Sequence, residues 1–179
     1  MNQKPLSQEY IARIKRYYMQ CIISEGSKIF LFAIVFNALS LLQEYFIALL
    51  MLFILRTNGG GIHCKKYISC FLLIFFMLLG NIILAQYCIL EISMQLLALI
   101  LCLPITVVLV PITSHSRPKL KNKVIKKSKL ITFFFILFFL LYTYLIPPNI
   151  IHTIGFWTII MHTCQLILAN ILRRRSQNV

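Results

Sequence analysis

Acidic side chains are nearly missing from this chain. Four Asp and Glu stand against 18 Lys and Arg in 179 residues, a formal net charge of +14. Only Glu44 and Glu91 lie near apolar runs, too few carboxylates for a proton or cation relay, and this weighs against a small transporter or channel component. A soluble module of domain size is missing too. The basic residues instead fill the gaps between apolar runs, so nucleic acid is not an expected partner and anionic lipid is. No small-residue cleavage site follows the first apolar run, which begins near Ile29, and a cleavable signal peptide is not expected. Of the six cysteines, Cys88, Cys102 and Cys164 lie inside apolar runs, where they behave as small hydrophobes, so no disulfide framework is implied. Internal repeats are absent.

What remains is oily. The chain is 60% hydrophobic with a mean hydropathy of +0.86, and its apolar runs go on for about twenty residues with hardly a charge, the length that a hydrocarbon core requires. The fold class is therefore an all-α polytopic membrane protein. Its expected parts are about four full transmembrane helices, an N-terminal interfacial helix and a short helical hairpin, re-entrant or spanning.

The interfacial helix is read from residues 8–25, where Ile11, Ile14, Tyr18 and Ile22 share one helical face and Arg13, Arg16 and Gln20 another. Residues 29–55 are apolar except for Asn37, Ser40, Gln43 and Glu44, with Lys28 before them and Arg56 after. They form either one tilted span or two halves meeting near Gln43 and Glu44, each about 16 to 21 Å long. Basic residues at both ends favour the hairpin. Residues 67–90 and 92–112 read as a pair of spans turning at Glu91, with Pro104 and Pro111 bending or ending the second. Seven Lys or Arg then fall between Arg117 and Lys129, which assigns this loop to the cytoplasm. Residues 130–146 and 150–172 make a final hairpin about Pro147, Pro148 and Asn149, and Arg173, Arg174 and Arg175 follow it. By this map residues 1–179 form a single integral membrane domain. Its parts are an amphipathic segment (1–27), a half that carries the site (28–112), the basic loop (113–129) and a C-terminal hairpin with a basic tail (130–179). For His152, His162, Gln165 and Asn170 in the last span, interhelical hydrogen bonding is the default.

The stretch RTNGGGIHCKKYISC, residues 56–70, places glycine, imidazole and thiol together between two oily segments. A thiolate attacks a carbonyl, and a nearby histidine takes the proton and returns it to the leaving amine, so His63 and Cys70 are candidates. In one straight helix they would lie about 10.5 Å apart along the axis, too far for proton transfer. Gly59, Gly60 and Gly61 allow a backbone that folds back, with Cys70 near the start of the next helix. The partial positive charge of a helix start, with Lys65 and Lys66, suits a thiolate there. Packing or interfacial roles remain the plainer alternative for one His and two Cys at a membrane edge. Zinc is not expected, because His63, Cys64 and Cys70 lack both a fourth ligand and a standard spacing.

Arg56, Gly61, His63 and Cys70 in that stretch resemble the signature of the accessory gene regulator B (AgrB) family, integral membrane cysteine endopeptidases that process quorum-sensing propeptides. The segment VPITSHSRPKLKNKVIKKSK is similar to the proline, polar turn and basic run that the family carries after its central spans. Chain length and span pattern agree, so the resemblance covers nearly the whole chain.

The resemblance implies His63 as general base and Cys70 as nucleophile, with Arg56, Gly60 and Gly61 shaping the site at the cytoplasmic face of the cell membrane. It implies cleavage of a propeptide's C-terminal tail through a thioester, then cyclisation to a thiolactone or lactone without metal or cofactor. The substrate would be a small propeptide with an amphipathic leader and an acidic tail, the tail drawn to Lys65, Lys66, Arg117 and Lys119. A homodimer is the assembly it suggests. The competing readings are a small membrane transporter and a non-catalytic membrane scaffold of a signalling system.

Overall fold

A backbone in lipid has no water to hydrogen-bond, so each long apolar run must satisfy its own N–H and C=O groups, and the α-helix does this within a single segment. The computed structural model describes residues 8–62, 67–112 and 122–177. Among them the chain forms six helices: α1 (Gln8–Ala38), α2 (Leu42–Gly59), α3 (Tyr67–Tyr87), α4 (Ile92–Leu109), α5 (Asn122–Leu145) and α6 (Ile150–Gln177). The all-α class follows directly. Among the described residues three helices are long and apolar enough to cross a membrane, Tyr67–Tyr87, Ile92–Leu109 and Ile150–Arg174. In α5 the apolar part, residues 130–145, is about 24 Å long, and the turns before it expose Lys123, Lys126 and Lys127. The loop expected to reach residue 129 is thus helical from Asn122, since its lysines are good helix formers and neither Gly nor Pro interrupts them.

The chain divides into two compact units, Met1–Leu42 and Gln43–Val179. The first contains α1, 31 residues long. The interfacial helix expected to stop near residue 25 and the apolar run expected from residue 29 are one continuous helix. Gly26 alone costs it only about 1 kcal/mol relative to alanine, and Lys28 Nζ pairs with Glu25 Oε1 at 2.6 Å across the junction.

The helix ends where the sequence offers no glycine. Ser40 takes a φ of 59°, its N–H donates to the Asn37 carbonyl at 3.0 Å, and the Leu41 N–H donates to the Phe36 carbonyl at 2.8 Å. These two bonds are the Schellman pattern, which consumes carbonyls that a helix end leaves orphaned. The run is divided into two helices, and the break lies at residues 39–41 rather than at Gln43 and Glu44.

The second unit contains most of α2 and helices α3 to α6. Its core joins Leu55 of α2, Leu99 of α4, Ile136 and Phe139 of α5, and Phe156 and Ile159 of α6. In lipid such a cluster gains little from leaving the solvent, and close packing with polar links does the holding. Gly155 lies against the Phe139 ring with no room for a Cβ. Asn81 Nδ2 of α3 donates to Thr158 Oγ1 of α6 at 3.3 Å. The Thr106 and Thr163 hydroxyls join α4 to α6 at 2.9 Å, and Trp157 Nε1 donates to the Cys88 carbonyl at 3.1 Å. Links of this kind contribute about 0.6–2 kcal/mol each inside a bilayer. Pro104 is accommodated within α4, and Pro111 follows its end.

Candidate functional site

The site begins where α2 ends. Arg56 lies in the last turn of α2, and its guanidinium donates to the Ile62 carbonyl at 3.5 Å, tying the helix to the residue just before His63. Between them the backbone turns through Gly60 (φ 77°) and Gly61 (φ 152°), a region that side chains with a Cβ rarely enter. The turn is also pinned by the segment that follows α4: the Ile112 N–H donates to the Gly59 carbonyl at 3.0 Å, and residues 60 and 112 form an isolated parallel bridge. A Cβ on Gly60 would collide with the Ile112 carbonyl oxygen. Arg56, Gly60 and Gly61, expected to shape the site, do occupy one bend.

The bend runs along α6. A Cβ on Gly59 would stand 2.7 Å from His162 Nε2, and one on Gly61 would stand 3.2 Å from Gln165 Nε2. Ile62 packs against the cluster of Val110, Ile112, Leu166 and Ala169. Successive residues of the bend therefore meet successive turns of α6 as it runs toward its C-terminus.

Cys70 is carried toward the same end by α3. It lies in the first turn of α3, half-buried. Helix α3 runs opposite to α6: a Cβ on Gly80 would be 3.7 Å from Met161, Asn81 bonds Thr158, and Cys88 receives Trp157. Extending that register ten residues back from Gly80 puts Cys70 level with the last turns of α6, about 15 Å along the axis from Met161. The bend and the thiol thus converge on one end of the second unit. His63, Cys64, Lys65, Lys66, Arg117 and Lys119 lie outside the described residues.

The α6 side of the bend was invisible to local spacing. His162 is fully buried and Gln165 nearly so. Interhelical hydrogen bonding was the expectation for His152, His162 and Gln165. Among the described residues, however, none of the ring nitrogens of His152 and His162 and neither amide atom of Gln165 has a hydrogen-bond partner. A buried polar group left in this state costs about 1–3 kcal/mol. For His162 and Gln165 the nearby main chain is the glycine bend, which approaches closely because it carries no side chains.

An all-helical membrane protein with a thiol at a helix start and a clamped glycine bend leading toward it is the class that fold and site define. The profile of accessory gene regulator B matches residues 1–167, and the chain belongs to that family. It is also similar to an AgrB-like protein of Clostridium beijerinckii, with 29% identity over 143 residues that cover 78% of this chain and 71% of that protein. No solved structure matches the chain. Membership connects the protein to accessory gene regulator quorum sensing and to a family of processing proteases.

Proposed function

We propose that this protein is a membrane cysteine endopeptidase that removes the C-terminal tail of a small autoinducer propeptide and promotes closure of the remainder into a thiolactone or lactone. The observation that carries the reading is the convergence of the Arg56-clamped bend, which ends one residue before His63, on the end of the unit where Cys70 opens α3.

In this reading His63 takes the Cys70 thiol proton and the thiolate adds to the scissile carbonyl carbon. The carbon–nitrogen bond breaks, the tail leaves as an amine carrying the proton returned by the imidazolium, and the leader half stays on Cys70 as a thioester. A cysteine or serine of the propeptide then gives its proton to His63 and attacks the thioester carbonyl. The bond to Cys70 breaks and the ring closes. Thioester exchange keeps the acyl group activated, so no ATP and no cofactor is required if the peptide nucleophile outcompetes water.

Arg56, Gly60 and Gly61 set the approach of the base. Lys65, Lys66, Arg117 and Lys119 offer positive charge to an acidic tail, and an amphipathic leader shares the anionic inner leaflet with the protein, the catalytic pair facing the cytoplasm. A homodimer is the assembly proposed.

The test is incubation of the full chain in lipid vesicles with a synthetic propeptide of amphipathic leader, central cysteine and acidic tail, followed by mass spectrometry. Tail release is expected from the wild type. Cys70→Ser and His63→Ala should each lower it by on the order of 10³-fold or more while still inserting. Full activity in Cys70→Ser would end the proposal.

A further inference from the structure

Gly59 is a glycine that its own backbone does not require. It is the last residue of α2, and the positive-φ glycines are Gly60 and Gly61. An alanine would suit its conformation, yet the added carbon would stand 2.7 Å from His162 Nε2. Whatever excludes a side chain at position 59 is therefore on α6. Three residues further along that helix, on the same face, the Gln165 amide lies 3.2 to 3.3 Å from where a Gly61 side chain would begin. Both α6 side chains are buried and have no hydrogen-bond partner among the described residues.

We infer that His162 and Gln165 are positioning residues of the peptidase: a polar seat on α6 that sets the height and angle of the glycine bend, and through it the point at which His63 meets Cys70. This rests on the Cys70 and His63 reading above. Apolar side chains of similar size would fill the same space but give the bend no polar surface to settle on. The seat acts only through the bend and touches no reacting atom. Gly60 is held differently, by its φ of 77° and by the Ile112 carbonyl, so its requirement does not depend on α6. That difference makes the inference testable.

The probe is iodoacetamide. The rate of Cys70 alkylation is followed against pH in the full chain in vesicles, and the modified peptide is located by mass spectrometry, so no propeptide is needed. His63→Ala calibrates what losing the base does to the profile. Gly59→Ala is expected to reproduce that change, with a fall in neutral-pH rate of about tenfold. His162→Ala alone, which removes the seat without crowding the bend, should shift the profile in the same direction, and combined with Gly59→Ala it should cost less than the two single losses together, a coupling that a double-mutant cycle reads directly. The losses of Gly60→Ala and His162→Ala should instead add. Gln165→Met, close in size but without the amide, should shift the profile in the same direction as Gly59→Ala, and Gln165→Glu less so.

If Gly59→Ala or His162→Ala leaves the profile unchanged, or if their two losses simply add, the seat is overturned while the Cys–His pair stands. If His63→Ala itself leaves the profile unchanged, the pair is overturned and the seat with it. Should Gly59→Ala prevent insertion, recovery of insertion by His162→Ala supports the contact, and failure to recover overturns it.

Discussion

At the scale of single residues, the bend divides its glycines by cause. Gly60 combines a conformation that costs an L-residue about 1–2 kcal/mol with a carbonyl in the path of any Cβ. Gly60→Ala is therefore expected to insert normally and to release tail at least about tenfold more slowly, measured with the synthetic propeptide, because a displacement of this order at a reacting pair is costly. An alanine enzyme as fast as wild type would show that the bend need not hold its shape. Much of this was open to a reader of the sequence. Three consecutive glycines beside an imidazole, with a thiol seven residues on, allow a backbone that folds back, and Gly60 and Gly61 do take the positive φ values that glycine permits. The partners of the bend were not open to such reading. His162 and Gln165 lie far along the chain in an apolar helix, where their spacing reads only as one more polar pair between helices.

At the scale of elements, the instructive case is the end of α1. A glycine is the usual sign of a helix stop, and none is present here. The break was expected at Gln43 and Glu44 because charge marks the edge of an apolar run, but the chain stops earlier, at Ser40, through two backbone hydrogen bonds that hydropathy does not register. Ser40→Gly should raise the midpoint of thermal unfolding in detergent, the φ being free for glycine. Ser40→Val should lower stability by about 1–2 kcal/mol, since a β-branched residue is a poor fit to that φ. Equal midpoints for the two would mean that the stop is set elsewhere. The continuity of α1 was missed for a related reason: a change from amphipathic to apolar pattern at residues 26–28 alters the surroundings of a helix, not its backbone, and the Glu25 and Lys28 pair spans the change.

At the scale of the whole molecule, the strong signals were apolar length and basic charge, and both read correctly as an all-helical membrane protein. They were less informative about where helices begin. Lysines that interrupt the apolar runs are equally good helix formers, so α5 starts inside the basic segment. Orientation can be measured on Cys70. A maleimide that cannot cross membranes should leave Cys70 unmodified in intact cells and label it after permeabilisation, the outcome that the proposed inner-face placement requires. Labelling from outside intact cells would reverse the assignment and remove the acidic-tail reading with it.

The order of synthesis adds one consequence of α6 lying beneath the glycine bend. Gly59 leaves the ribosome long before His162, so a nascent chain with α2 and α3 already in the bilayer holds both members of the proposed pair but lacks the proposed seat on α6. Proteolytic competence would then arrive only with the last described helix, and a half-made copy would be harmless to its neighbours.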